Sequence, residues 1–315
     1  MTKGNLGVVS DDLKQAVLIV GYGDVGARVA RLLRSTRSVY ALIRNPARAA
    51  AVASDGAVAV IGDLDDAESL AEIVGRTSAV FHAVLHFAPP AMGATDDVRT
   101  KNLIAALYRS TNHRVRHLVY ISTTGVYGDC GGRWVDESTP LNPESDRARR
   151  RVDAETCLAA WAQDEQAALT ILRAPGIYAA DRLPIDRIHA HTPAIRAVED
   201  SWSNHIHAED LARACVRALD LQIAHPADFA QPMIVNIVDD SVLKMGDYFD
   251  LVADHFGMPR PPRLTRREAE SQVSPAMLSF MRESRRIRNN KMKTSLGYQL
   301  RYPTVGGFLA ELPSR

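Results

Sequence analysis

The run from Ala16 to Val20, five aliphatic residues, passes directly into Gly21, Tyr22, Gly23, Asp24, Val25 and Gly26, after which Val29, Leu32 and Leu33 recur at helical spacing. No other feature narrows the possible folds as much. A strand that ends in GxGxxG and opens a helix uses its glycines in three ways: to turn tightly, to let the backbone approach a pyrophosphate, and to let the helix pack close on the strand. The start of that helix offers N–H donors and the positive end of a dipole, both suited to phosphate. The spacing predicts a dinucleotide cofactor seated against residues 21–26. The competing reading is a tight strand-to-helix turn with no ligand.

The rest of the chain supplies the context that such a turn needs. The runs VYALI, AVAVI, AVFHAV, HLVYI and LTILR are each followed by a polar or helical stretch. Short, continuously apolar runs suit strands buried on both faces, which a parallel sheet between two helix layers requires. Ala154, Cys157, Leu158 and Trp161 share one helix face, and Leu211, Cys215, Val216 and Leu219 share another. The pattern predicts an α/β, Rossmann-type, doubly wound parallel sheet over residues 14–180, with return segments near 204–240. Beyond residue 180, Pro184, Pro193, Pro226, Pro232, Pro259, Pro261 and Pro262 break the rhythm. Residues 181–315 are expected to form a smaller C-terminal α/β lobe that binds substrate.

Composition excludes more than it assigns. Lys plus Arg number 38 against 37 for Asp plus Glu, so the chain has no general attraction for nucleic acid or an anionic membrane. Any positive site must be local, and the run from Arg282 to Lys293 reads either as a solvated helix face or as an anion site. The first residues lack a basic start followed by an apolar stretch, and the apolar region 79–92 is broken by His82, His86, Pro89 and Pro90. Cys130, Cys157 and Cys215 are far apart and odd in number, which predicts a reduced, cytoplasmic setting. No metal-binding spacing stands out, since His189 and His191 are only two apart.

The second strand ends in Arg44, near the position where NAD-specific sites place a carboxylate for the ribose 2′-hydroxyl. A guanidinium there suits a 2′-phosphate, and Arg48 stands close by in sequence, so NADP(H) is expected in preference to NAD(H). The alternative is a surface arginine at a strand end. Asp63, followed by Leu64, reads either as an acceptor for the adenine amino group or as a helix N-cap. His86 closes the fourth strand at the sheet edge that faces ligand.

Several segments, taken in order, resemble the extended, epimerase/dehydratase branch of the short-chain dehydrogenase/reductase superfamily. They are Tyr120 to Gly128 with its Val126-Tyr127-Gly128 turn, Leu172 to Tyr178, His205 to Leu211, and Asn290 to Tyr302. The resemblance implies that Thr123 is the catalytic Ser or Thr and that Pro175 and Gly176 pass the nicotinamide. It also implies a small-molecule substrate and admits a homodimer. Counting back from Glu155 places Arg151 and Arg147 where the family carries Lys and Tyr, and Asp96 where it carries an Asn.

Arg147 cannot take over the tyrosine's role. A guanidinium stays protonated, so it can stabilise an oxyanion but cannot shuttle a proton. The pattern is closest to atypical members that keep the cofactor segments and lose part of the catalytic set. By position, Tyr127, Tyr178, His86 and His207 are the candidates for a replacement donor or for substrate contact. Tyr127 also reads as a packing tyrosine and each histidine as a structural one. Arg147, Arg149, Arg150 and Arg151 read equally as an anion site or as a salt-bridged cluster with Glu144, Asp146 and Asp153. Two functions follow: an NADP(H)-dependent oxidoreductase or epimerase/dehydratase-like enzyme, or a non-catalytic NAD(P)H-binding sensor or regulator.

Overall fold

A computed structural model of the chain describes residues 15–70, 80–93, 95–109, 115–225, 230–273 and 275–313. The amino-terminal stretch read above for a targeting signal lies outside them, apart from residue 15. All six apolar runs singled out in the sequence form strands: β1 (Ala16–Val20), β2 (Ser38–Ile43), β3 (Val58–Ile61), β4 (Phe81–His86), β5 (His117–Thr123) and β6 (Ala168–Ala174). Two short strands follow, β7 (Gly176–Tyr178) and β8 (His205–His207), and then β9 (Met233–Asn236). Seven of them make one sheet in the order β9-β6-β5-β4-β1-β2-β3, with every neighbouring pair parallel. The strand order reverses between β1 and β4, which opens a crevice at the carboxyl edge of the sheet.

Alternation along the strands builds the two layers. Val17, Ile19, Ala41, Ile43, Leu85 and Val119 pack toward helices α1 (Asp24–Leu33) and, later in the chain, 208–224. Leu18, Val20, Leu42, Val84, Leu118 and Tyr120 pack toward α2 (Val98–Tyr108) and α3 (Asp146–Asp164). The predicted helix faces turn inward: Ala154, Leu158 and Trp161 on α3, and Leu211, Cys215 and Leu219 on α4 (Ala208–Ala224) are buried, while Cys157 and Val216 are half-buried. Each fully buried leucine contributes about 1.5–3 kcal/mol of transfer free energy. Ser145 caps α3 by accepting from the Ala148 N–H, and Asp97 caps α2 by accepting from the Thr100 N–H.

After β6 the chain leaves the sheet through β7, which pairs in parallel with β8. Beyond them a separate apolar cluster gathers Tyr178, Leu183, Ile188, Tyr248, Phe249, Val252, Val305, Phe308 and Leu309. It is built on α5 (Met245–His255) and α6 (Val305–Ala310). The basic run from Arg282 onward is not one helix face. It crosses the end of a helix at Arg282, a strand at Arg286–Ile287 and a short helix at Asn290–Thr294.

Candidate functional site

A cavity of about 580 Å³ opens at the carboxyl ends of β1, β2, β3 and β4. Residues Gly21 to Gly26, Arg44, Asp63 and Leu64 all line it, whereas Pro175 and Gly176 do not, although Ile177 does. Gly21 has φ +95°, and a Cβ there would meet the Ala88 amide nitrogen at 2.3 Å, so the turn packs against the loop after β4 and admits only glycine. At Gly26 a Cβ would stand 2.9 Å from the Gly21 carbonyl oxygen, inside helix-on-strand packing distance. Gly23 is different: nothing lies within 4 Å of a Cβ built there, so its missing side chain leaves open space beside the turn. Gly23 also caps α1 without any side-chain hydrogen bond, leaving the first N–H groups of the helix to a ligand. The Asp24 charge is answered by Arg28 at 2.9 Å and Arg182 at 3.6 Å.

At the far end, Arg44 is exposed and its Nε lies 3.9 Å from an Asp63 oxygen, while Arg48 sits over the Tyr22 ring at 6.0 Å. Tyr22 itself is fixed by a 2.8 Å hydrogen bond to Asp55, and burial pushes its phenol pKa up. Asp63 accepts from the Asp65 N–H, and the helix start that follows is capped by Asp66, whose carboxylate accepts from Glu68 and Ser69. The N-cap reading of Asp63 is thereby corrected: the loop turns once more before the helix begins. Arg99, not singled out in the sequence, also lines the cavity and forks onto Asp65 at 2.6 and 2.7 Å.

Of the positions where the family carries its catalytic set, Thr123 and Arg147 do not line this cavity and Arg151 does. Arg151 lines it and donates to the Tyr120 hydroxyl at 2.9 Å and the Ile121 carbonyl at 3.0 Å. Thr123 ends β5, half-buried, and its Oγ1 accepts from the Gly125 N–H. Arg147, one turn before Arg151 on α3, feels the charges of Glu283 and Arg285. Burial lowers its pKa, with Glu283 acting in the opposite sense. A Cβ built on Gly125 would stand 3.4 Å from Thr123 Oγ1 and 3.9 Å from Glu283 Oε2, so this hydroxyl and this carboxylate flank one small space. Glu283 is paired with Arg285 at 2.9 Å, and Arg285 also donates to the Gly128 carbonyl. Asp96, at the position of the family's Asn, is exposed and paired with Lys101 at 2.8 Å.

A family model described as NAD(P)H-binding matches residues 21–222, well over half of the chain. The chain belongs to the NAD(P)H-binding family. Solved structures agree with that membership. A functionally unknown conserved protein from Silicibacter pomeroyi is 26% identical, with a TM-score of 0.73 over 94% of this chain and 99% of its own. A proposed NAD-dependent epimerase/dehydratase from Methylobacillus flagellatus is 25% identical, with a TM-score of 0.66 over 94% and 97%. MoeE5, solved with UDP-glucose and NAD, shares the fold at 19% identity, with a TM-score of 0.70 over 94% and 96%. No curated protein matches the sequence significantly. The resemblance to the extended short-chain dehydrogenase/reductases therefore stands. Among the described residues, no helix is long and apolar enough to cross a membrane.

Within this NAD(P)H-binding protein, all four residues named as donors or substrate contacts are held in packing roles. His86 is 0% exposed, because the alternation of β4 turns it toward α2, where Nε2 lies 2.9 Å from Thr100 Oγ1. Burial drives its pKa down to about 3, assisted by the Arg151 charge, so the ring is neutral and out of reach of a ligand. Tyr127 is buried, donating to Asn236 Oδ1 at 2.9 Å and accepting from Arg173 at 3.0 Å. His207 caps α4 through Nδ1 and packs against Tyr302 and Phe308 with centroids 4.2 and 4.6 Å away. Tyr178, also buried, packs edge-on against His207 and Phe308 in the second apolar cluster. None of the four lines the cofactor cavity. Sequence reasoning missed Glu283 and Arg285, for which no motif gives a signal, and the buried chain of Ser122, Glu155, Arg173 and Asn236.

Proposed function

We propose that this protein is an NADP(H)-dependent oxidoreductase or epimerase/dehydratase-like enzyme that works without the family tyrosine and lysine. The observation that carries the reading is the polarity of one cavity. It has an uncapped helix start and an open glycine in the middle, Arg44 and Arg48 at one end, and Ile121, Arg151 and Ile177 at the other. Pyrophosphate fits the first feature, a 2′-phosphate the second and the nicotinamide riboside the third. When bound, the reduced cofactor supplies a hydride. Arg151 would hold the ribose, and Thr123 with Arg147 would hold the substrate oxygen and stabilise the charge that develops there. Glu283, the carboxylate partner of Arg285 and facing Thr123 across the space beside Gly125, would serve the reverse direction, taking the proton of a substrate hydroxyl as its hydride passes to the oxidised cofactor, so that an alcohol becomes a carbonyl. The separate apolar cluster around α5 and α6 supports residues 181–315 as the substrate lobe.

The test is calorimetric titration with NADPH and NADH side by side, on wild type and Arg44→Ala. Loss of one charge-assisted fork on phosphate, about 1.5–3 kcal/mol, should weaken NADPH roughly 10- to 100-fold and leave NADH nearly unchanged. Equal losses for both cofactors would remove the 2′-phosphate assignment. A second reading, a non-catalytic NAD(P)H sensor, rests on the burial of Tyr127, His86 and His207. It requires saturable cofactor binding, no turnover, and a Glu283→Gln variant indistinguishable from wild type in every carbonyl assay.

A further inference from the structure

A second cleft, of about 170 Å³, shares no lining residue with the cofactor cavity. Strand register builds its walls. The strand pair Trp134–Val135 and Arg286–Ile287 is parallel, with Trp134 opposite Arg286, and the pair Trp202–Ser203 and Leu243–Lys244 is antiparallel, with Trp202 opposite Lys244. Cations and indoles therefore interleave. The Arg286 guanidinium lies 5.2 Å from the Trp134 ring centre and 5.0 Å from that of Trp202. Arg288 stacks on Trp134 at 5.4 Å, and the Lys244 ammonium lies 5.6 Å from the centre of Trp202. Gly132 has φ +73°, and a Cβ there would meet the Trp202 ring at 2.8 Å, so this glycine lets the indole close the wall.

The charges in this ladder are incompletely answered. Arg286 spends Nε on the Gly132 carbonyl at 2.7 Å. Among the described residues, neither Arg286 nor Arg288 forms an ion pair with a carboxylate. Of the two acids lining the cleft, Asp240 is taken by Lys293 and Asn289. Asp239 is buried with Oδ2 lacking a hydrogen bond. Indole stacking keeps a guanidinium planar and poorly hydrated while leaving its edge free, the state in which it best forks onto an oxyanion. The volume holds on the order of ten waters, which is more than a bare ion fills.

We propose that this cleft is a ligand site for a small polyol-sized molecule bearing an oxyanion, phosphoryl or carboxylate, that docks on the guanidinium edges of Arg286 and Arg288 beside Trp134 and Trp202. The reading does not depend on which nicotinamide cofactor is bound. Intrinsic fluorescence reports on it directly, because two of the three tryptophans border the cleft and the third, Trp161, is buried elsewhere. The intact chain is titrated with glucose 1-phosphate, glucuronate and neutral glucose, with NADPH binding measured on the same preparation. A saturable change with glucose 1-phosphate or glucuronate and none with glucose is expected, and which of the two acts identifies the anion. Arg288→Met should weaken that binding at least tenfold. Arg286→Lys, which keeps the charge and loses the fork, should do the same, with NADPH affinity unchanged. A response equal for glucose and its anionic relatives, no response to any of them, or full affinity in a folded Arg288→Met protein overturns the proposal. Failure of NADPH to bind would instead count against the cofactor assignment.

Discussion

Replacing Glu155 with leucine removes the only described carboxylate that answers Arg173, and both side chains are buried, at 6% and 3% exposure. Glu155 Oε2 lies 2.7 Å from Arg173 Nη2, Oε1 lies 3.1 Å from Nε, and the Ser122 hydroxyl donates to Oε1 at 2.5 Å. Arg173 reaches on to the Tyr127 hydroxyl, which in turn donates to Asn236. Breaking a buried pair from one side leaves an uncompensated charge and costs about 3–5 kcal/mol. For a chain of this length, each kcal/mol corresponds to about 2 °C, so Tm should fall by about 6–10 °C. Removing both charges in Glu155→Leu/Arg173→Met should recover most of the loss, because the desolvation penalty leaves with the arginine. Urea denaturation of wild type, both single variants and the double variant measures the coupling. A double variant as unstable as the sum of the singles would refute the argument, since it would mean that the two groups do not feel each other. NADPH affinity should hold throughout, as none of these side chains lines the cofactor cavity.

Gly21→Ala and Gly23→Ala should part company. The first forces a Cβ into the backbone at Ala88 from a φ of +95° and should yield little folded protein, whereas the second meets nothing within 4 Å and should fold normally while losing NADPH affinity at least tenfold. Circular dichroism and cofactor titration check both, and a cofactor affinity intact in Gly23→Ala would separate the turn from the pyrophosphate. Acid should destabilise the fold from near pH 6.5 downward. Burial lowers His86 and His117 to about 3 and His205 and His207 to about 4, so the unfolded chain binds these four protons first and stability falls with pH across that window. Asp239, raised to about 7 by burial, works in the opposite sense between about pH 7 and 4. The net three protons correspond to about 4 kcal/mol per pH unit below pH 6. A Tm that is flat from pH 7 to 5 would contradict this assignment.

Where the chain's local pattern and its tertiary structure ask the same thing of a residue, the sequence is readable. Gly21 must be glycine both for the turn and for the passing loop, and Leu158 must be apolar both for the α3 period and for the layer it enters. His86 shows the failure. Its place at the carboxyl end of β4 suggests ligand contact, but the two-residue period of the strand, with Leu85 facing the opposite layer, decides which way the ring points. Tyr127 misleads for a different reason. A phenol in a turn beside an active site looks available until its partners are known, and those partners, Arg173 and Asn236, come from β6 and β9.

The catalytic positions expose the deeper limit. Arg147 in place of a tyrosine reads, from α3 alone, as the loss of a proton donor. The segment 283–285 changes the meaning of that substitution, because it brings a carboxylate to the space beside Gly125 and a second guanidinium behind it. A tyrosine–lysine pair keeps proton transfer and charge stabilisation on one helix. In the proposed mechanism the same two duties would be divided between α3, which carries the fixed positive charge, and a distant segment that carries a carboxylate able to exchange a proton. No spacing rule links two such segments, since their approach is set by the pairing of Arg286 with Trp134 and by the Arg285 contact to Gly128. The same pairing also places the indole–guanidinium ladder. One short strand at Arg286–Ile287 thus fixes the position of both the carboxylate proposed for proton transfer and the cleft proposed for an oxyanion.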